Sequence, residues 1–290
     1  MTVPGMYPGS GSGPTPPGWL VARLRAAGCV FAEDEAAVLV EAATSPAELA
    51  QMLRQRVAGL PLEHVVGWVE FAGRRVEVDV GVFVPRRRSE LLVREAVAHL
   101  ARATDGRPAP PAGRGPVVVD LCCGCGAIGV AIAAAVPEIE LAATDLDPVA
   151  TRCAERNVAT VGGTVVRGDL FAALPDRLRG RVDVLVANAP YVPTGAIALM
   201  PPEARDHEPA AALDGGPDGT DILRRVIAGA PEWLAPGGLV LVEVGRTQQG
   251  TVVRELARHD LNPRILVDDE LGGMVATGRR PVPTSIRWQN

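Results

Sequence analysis

Residues 117–135 have the sequence VVVDLCCGCGAIGVAIAAA, and this stretch decides the fold class. The apolar run at 117–121 predicts a buried strand, and the run at 128–135 predicts a helix. Residues 122–126 lie between them, and their small side chains allow a tight turn and a close approach of the backbone to a ligand. A strand that turns directly into a helix is typical of a βαβ unit.

The same alternation continues to the C-terminus. Further helices are predicted at 148–159 and 221–234. Further strands are predicted at 140–144, 164–167, 182–187, 239–244, 264–267 and 274–278. Strands that alternate with helices over short connections predict right-handed crossovers on a mainly parallel sheet, which is an α/β fold.

The residues before this region differ in composition and predict separate units. The predicted division is a disordered leader rich in Pro, Gly and Ser (1–18), a small helical N-terminal domain (19–60), a β-hairpin connector (61–85) and the main domain (86–290). Ser45 and Glu48 predict an N-terminal helix cap, and Gly73 the hairpin turn. Two or three short helices in the N-terminal domain are expected to bury little core of their own.

Composition excludes several classes of function. The chain has 290 residues and a formal net charge of −5, which argues against non-specific binding to nucleic acid. It contains no lysine, so neither a Schiff-base lysine nor a phosphate-binding loop with its Lys is available. No secretory signal or apolar run long enough to span a membrane is apparent, and a cytoplasmic location is expected.

The five cysteines predict neither a disulfide framework nor a metal site. Their number is odd, and Cys122, Cys123 and Cys125 are too crowded for the usual zinc-binding pair of cysteines two residues apart. The four histidines are scattered along the chain. No metal is therefore predicted.

Acidic residues follow two successive strands at the edge where a parallel sheet binds its ligands. Asp145 lies 25 residues after Asp120, where it can accept hydrogen bonds from both hydroxyls of a ribose, and Asp169 can meet an adenine amino group. The three-glycine dinucleotide fingerprint is absent, so one adenosine without a pyrophosphate fits better and favours S-adenosylmethionine over NAD. Either acid alone could instead cap the helix that follows it.

The strand at 182–187 ends in Asn188-Ala189-Pro190-Tyr191. An amide nitrogen is a poor nucleophile, and a site that methylates one must hold both of its hydrogens in place. The Asn188 side-chain oxygen and the Ala189 carbonyl can accept them, Pro190 stiffens the turn, and Tyr191 can offer a flat face to a planar group. As an isolated tetrapeptide, the same residues are better explained as a simple exit from a strand into a loop.

These residues, with several separated blocks, resemble the HemK/PrmC family of protein-glutamine methyltransferases. The blocks are PLEHVVG (61–67), EF (70–71), GVFVPR (81–86), RDHEP (205–209), ALDGG (212–216), DG (218–219) and LAPGG (234–238). The resemblance implies a class I S-adenosylmethionine-dependent methyltransferase fold, Rossmann-like with a seven-stranded sheet, behind a small helical domain. It implies a protein partner as well, the Gly-Gly-Gln loop of peptide-chain release factors.

The resemblance also assigns the site residues. The predicted cofactor set is Cys122, Cys123, Gly124, Cys125, Gly126, Asp145, Asp169, Leu170 and Asn188, with Leu170 against the adenine. Residues 188–191 are expected to hold the glutamine. The chain departs from the family pattern at Ala189, where the family has Pro, at Cys122, where it has Gly, and at Arg87 and Arg88, where it has a Pro-Glu-Thr-Glu-like run.

Three alternatives remain open from the sequence. An amino-methyltransferase acting on DNA or RNA predicts a basic target-recognition module. A small-molecule N-methyltransferase would account for the altered residues 86–89. A binding module without activity predicts that S-adenosylmethionine does not bind.

Overall fold

The computed structural model describes residues 15–102 and 115–283. Most of the predicted leader and most of the Pro/Gly/Arg-rich stretch before the first strand lie outside the described residues. Among the described residues, no helix is both long and apolar enough to cross a membrane.

Four helices precede the hairpin in the described part of the chain, and the last of them lies within residues 61–85, where only a hairpin connector was predicted. They are α1 (Gly18–Ala26), α2 (Ala32–Ala42), α3 (Pro46–Val57) and the short α4 (Leu62–Val66). The Oγ of Ser45 accepts a hydrogen bond from the Glu48 amide at 3.2 Å, which confirms the predicted cap. The Glu48 side chain bonds the Thr44 amide, one residue earlier than a capping box predicts.

These helices bury more than their length suggested. They enclose a hydrophobic cluster separate from those of the sheet, formed by Leu20, Leu24, Cys29, Ala32, Ala36, Leu39, Met52, Leu53, Leu62 and Val65. The expectation that they lack a substantial core of their own was wrong. The reason is that α1, α2 and α3 pack against one another, so the apolar side chains of all three helices contribute to one cluster.

A two-stranded hairpin joins this domain to the rest of the chain. Its strands β1 (Trp68–Phe71) and β2 (Arg74–Glu77) pair antiparallel. The turn residues Ala72 and Gly73 both have positive φ, as a two-residue hairpin turn requires. Helix α5 (Glu90–Ala101) follows.

The main domain is a seven-stranded sheet flanked by helices. Its strands are β3 (Val117–Leu121), β4 (Glu140–Asp145), β5 (Thr164–Arg167), β6 (Val182–Ala187), β7 (Leu234–Glu243), β8 (Asn262–Asp268) and β9 (Gly273–Arg279). The helices between them are α6 (Ala127–Ala135), α7 (Pro148–Ala159), α8 (Pro202–His207), α9 (Ala210–Leu213), α10 (Asp221–Trp233) and α11 (Gln249–Arg258).

The order of the strands in the sheet indicates where the ligand-binding crevice lies. The order is β5-β4-β3-β6-β7-β9-β8, with β3 to β7 parallel and β9 antiparallel to both neighbours. The chain proceeds from β3 toward one edge and returns to lie as β6 on the other side of β3. Ligands of open α/β sheets bind at such a reversal, outside the carboxyl ends of the strands.

The core occupies both faces of the sheet because neighbouring residues of a strand point in opposite directions. In β3, Val118 packs with the layer of α5, α6 and α7, while Val117 and Val119 pack with the layer of α10 and α11. Both layers consist mainly of aliphatic residues.

Candidate active site

The predicted site residues converge on one cleft of about 750 Å³ at the carboxyl ends of β3, β4, β5 and β6. The residues of the predicted set that line it are Cys122, Cys123, Gly124, Cys125, Asp145, Asp169, Leu170, Asn188 and Pro190. Gly126, Ala189 and Tyr191 do not line it. Sequence reasoning did not find several other lining residues, among them Phe83, Ser89 and Arg225.

The turn after β3 opens toward this cleft. Gly124 has φ +57°, and no heavy atom lies within 4 Å of where a Cβ would stand, so a ligand can approach its backbone. Gly126 has a packing role instead, because a Cβ there would lie 2.9 Å from Val158. Cys122, where the family has Gly, takes φ +54°, a conformation that costs a non-glycine residue energy.

The thiols in this turn are not reactive groups. Burial raises the pKa of Cys122, Cys123 and Cys125 far above the ordinary value, so all three remain neutral thiols. Among the described residues, no group of three or more His, Cys, Asp or Glu side chains could hold a metal ion.

Asp145 connects the ends of β3 and β4. Its Oδ2 accepts a hydrogen bond from the Gly124 amide at 2.8 Å, and its Oδ1 accepts one from the Asp147 amide at 2.9 Å. Burial raises the pKa of this carboxyl, and the backbone N–H groups oppose that rise. Each oxygen keeps a lone pair for a ligand hydroxyl.

The end of β5 forms the next part of the wall. Arg225 of α10 donates to Asp169 Oδ2 at 2.7 Å, so one carboxylate oxygen is already engaged. Leu170 follows with φ +49°, a left-handed conformation at the cleft that a leucine adopts only under constraint. The apolar lining here, which includes Leu146 and Ile222, suits a flat aromatic base.

Asp120 is completely buried beneath the turn. Its Oδ2 accepts a hydrogen bond from the Gly129 amide at 2.9 Å, whereas its Oδ1 has no partner among the described residues. Burial raises the pKa of this carboxyl to about 7.

Asn188 lies at the opposite end of the cleft. Its Nδ2 donates to Ser89 Oγ at 3.3 Å, and no described residue donates to its Oδ1. Phe83, Pro85 and Pro190 line the cleft around it. This end therefore combines an available amide oxygen with apolar walls.

Tyr191 does not supply the expected flat face to the main cleft. Its hydroxyl accepts a hydrogen bond from Arg88 Nη2 at 2.6 Å and donates one to Glu243 Oε1 at 2.7 Å. These contacts turn the side chain into a second, smaller cavity of about 210 Å³. Phe83 is the aromatic residue of the main cleft instead.

Comparisons with known proteins agree with this arrangement. A family model described as "Methyltransferase small domain" matches residues 108–200. The chain is 37% identical over 219 residues to the release factor glutamine methyltransferase of Geobacter sulfurreducens, covering 74% of this chain and 72% of that protein. It is 39% identical over 202 residues to the Streptomyces coelicolor protein of the same name, covering 70% and 69%.

A second kind of relative is equally similar. The 4-amino-L-phenylalanine/4-methylamino-L-phenylalanine methyltransferase of Streptomyces pristinaespiralis is 38% identical over 201 residues, covering 69% of this chain and 66% of that protein. Among solved structures, the hMettl16 catalytic domain, solved with the MAT2A 3'UTR hairpin 6, superposes with a TM-score of 0.54 at 12% identity, covering 86% of this chain and 84% of that one. That likeness concerns the fold alone.

The blocks quoted from the sequence thus predicted the family correctly. The class I methyltransferase fold, with S-adenosylmethionine as the methyl donor, is confirmed with it. Because relatives at 37–39% identity match over about 70% of the chain, the chain belongs to the release factor glutamine methyltransferase family.

Proposed function

We propose that this protein transfers the methyl group of S-adenosylmethionine to the side-chain amide nitrogen of a glutamine in a peptide-chain release factor. The observation that carries the proposal is that Asn188, with its oxygen available, shares one cleft with the turn after β3 and with Asp145. An acceptor amide and a methyl donor can therefore lie in contact there.

The residues divide the cleft into two ends. Residues 122–125 would hold the methionine part of the cofactor, Asp145 its ribose, and Asp169 and Leu170 its adenine. The bound cofactor supplies an activated methyl group on a positively charged sulfur. Apolar walls that exclude water favour the transfer, because the positive charge of the sulfur disperses as it proceeds.

The turn after β6 holds the acceptor. Asn188 lines the cleft, and its Oδ1 would accept one hydrogen of the glutamine amide and aim the nitrogen at the methyl group. The second hydrogen is assigned to the Ala189 carbonyl from its place next to Asn188 in the chain, although Ala189 itself does not line the cleft. The nitrogen becomes acidic once it is methylated, so the proton leaves to water without a strong base. Ala189 in place of Pro retains this carbonyl and loses only some rigidity.

An aromatic amine of a small molecule is the second candidate acceptor. The Streptomyces pristinaespiralis relative, named for 4-amino-L-phenylalanine, is as similar to this chain as the release factor enzymes are. Such an amine is planar and carries two hydrogens, so the same two oxygens could hold it.

We also place the reaction in the cytoplasm, a proposal supported by five cysteines that are all free thiols.

Labelled S-adenosylmethionine tests the proposal directly. The purified protein is incubated with a release factor, with the same factor carrying Gln→Ala in its Gly-Gly-Gln loop, and with 4-amino-L-phenylalanine. We expect label in the first protein only, and none with the variant Asn188→Ala. Label in the amino acid alone would select the second candidate, and failure of S-adenosylmethionine to bind in calorimetry would refute both.

A further inference from the structure

Five side chains form a connected hydrogen-bond relay between the main cleft and the second cavity. In order they are Asn188, Ser89, Glu243, Tyr191 and Arg88. We propose that Ser89 and Glu243 are positioning residues that decide which end of the Asn188 amide faces the methyl acceptor. This inference rests on the proposed function, because it concerns how that site holds an NH2 group.

The direction of the relay is set at Arg88, which can only donate hydrogen bonds. Its Nη2 lies 2.6 Å from the Tyr191 hydroxyl oxygen, which must therefore accept. The hydroxyl hydrogen of Tyr191 is then free to go to Glu243 Oε1 at 2.7 Å, and Arg88 Nε donates to the same oxygen at 2.7 Å. Oε1 thus receives two hydrogen bonds.

The other carboxylate oxygen of Glu243 fixes the orientation of the Ser89 hydroxyl, which in turn contacts Asn188. Glu243 Oε2 accepts the hydroxyl hydrogen of Ser89 at 2.5 Å. Ser89 has no second hydrogen, so its oxygen can only accept from Asn188, and the Asn188 group that faces it must be Nδ2, at 3.3 Å. The carbonyl oxygen Oδ1 is consequently the end that remains for the acceptor.

Packing alone would not select this orientation, because the two ends of an amide have nearly the same shape. The inverted side chain would present an NH2 group to the NH2 group of the acceptor. Two donors cannot bond each other, and a buried polar group left without its partner costs binding energy. Ser89 and Glu243 are almost completely buried, so water does not replace their bonds.

The variant Glu243→Gln should invert the relay rather than remove it. The donors Arg88 and Tyr191 require the oxygen of the new amide, so its NH2 group must face Ser89. The Ser89 hydroxyl then donates to Asn188, and Asn188 turns Nδ2 toward the acceptor. We expect kcat to fall on the order of 100-fold, comparable to losing a hydrogen-bonding group at the reacting centre, with unchanged cofactor affinity.

The variant Ser89→Ala should do less harm. Asn188 loses its partner and can take either orientation, so we expect a loss of roughly 10-fold or less. The kcat of the double variant Ser89→Ala/Glu243→Gln should be no lower than that of Ser89→Ala. Without the Ser89 hydroxyl, no hydrogen bond connects residue 243 to Asn188, so the Gln cannot reverse the Asn188 amide. A merely structural role predicts losses that add.

Matched variants make the outcome decisive. Ser89→Thr keeps the hydroxyl and should retain activity, and Glu140→Gln, at the opposite end of the sheet, should leave transfer unchanged. The proposal would be overturned if the kcat losses of Ser89→Ala and Glu243→Gln add in the double variant. It would also be overturned if Ser89→Ala and Ser89→Thr are equally active. The second comparison decides the matter even if Glu243→Gln does not fold. A wild-type protein that methylates no acceptor would instead refute the proposed function.

Discussion

Asp145 stabilises the turn after β3 and also faces the cleft. Because its carboxylate already accepts the Gly124 and Asp147 amides, it is held in one orientation and can bind a ribose without reorganisation. We expect Asp145→Ala to weaken S-adenosylmethionine binding by about 1.5 to 3 kcal/mol, the range for hydrogen bonds to a charged group, as measured by calorimetry. The exposed Asp176→Ala is the control, and equal affinities of both variants would place the ribose elsewhere.

Asp120 should make the stability of the protein depend on pH. Burial raises its pKa from 3.8 to about 7. Between these values the unfolded chain has lost the proton that the folded chain retains, so the free energy of unfolding falls as pH rises from about 4 to 7. Above pH 7 the folded protein bears the full cost of a buried carboxylate.

The variant Asp120→Asn removes this group. Its stability relative to the wild type should therefore increase between pH 5 and pH 8. Urea unfolding of both proteins without cofactor at the two pH values measures the change. A difference that stays constant with pH would show that Asp120 titrates in the folded protein as it does in the unfolded chain.

At the scale of elements, the turn after β6 is positioned by the connection that follows it. Val192 pairs with Asp214 in a short bridge, and a Cβ at Gly215 would lie 2.7 Å from the Pro190 carbonyl. The segment that contains Asn188 therefore packs directly against the ALDGG block. The fit leaves no room for a side chain at Gly215.

The variant Gly215→Ala should consequently displace the acceptor turn. Because the cofactor end of the cleft is formed by other strands, we expect kcat to fall about 10-fold or more while cofactor affinity changes little, since small misplacements at a reacting centre cost much of the rate. Gly195→Ala, in the same connection but with open space around it, should leave both unchanged. Equal kinetics of the two variants would contradict the packing argument.

At the scale of the whole molecule, the sequence predicts the sheet well because its strands are apolar runs bounded by turns. Helices α8 and α9 were not predicted, because four to six residues carry no periodicity. Asn188 was predicted from its place at a strand end. Ser89 and Glu243 were not predicted. Ser89 is 99 residues from Asn188 and 154 residues from Glu243 along the chain, and the three side chains meet only in the fold.

The orientation of Tyr191 has a similar explanation. A side chain just after a strand can turn to either side of the sheet edge, and no pattern in Asn188–Tyr191 selects one. The choice depends on Arg88 and Glu243, which draw the hydroxyl into the second cavity. Arg88 is also where the chain departs from its family, so the family pattern could not supply the answer.

One buried arginine joins the N-terminal domain to the rest of the molecule. Arg56 of α3 pairs with Glu35 of α2 at 2.7 Å and with Glu203 of α8 at 2.7 Å, and it is only 7% exposed. The first pair fixes two helices of the domain to each other. The second connects the domain to the segment that follows the acceptor turn.

Removing Arg56 leaves the buried Glu35 carboxylate without its counter-charge. We therefore expect Arg56→Ala to lower the free energy of unfolding by about 3 kcal/mol or more, the range for breaking one side of a buried ion pair. Arg54→Ala, exposed on the same helix, should change it by less than about 0.5 kcal/mol in urea unfolding. The double variant Glu35→Ala/Arg56→Ala should regain part of the loss, because it removes the isolated charge. If the double variant is instead less stable by the sum of both single changes, the two side chains do not act as a pair, and helices α2 and α3 must be held together by packing alone.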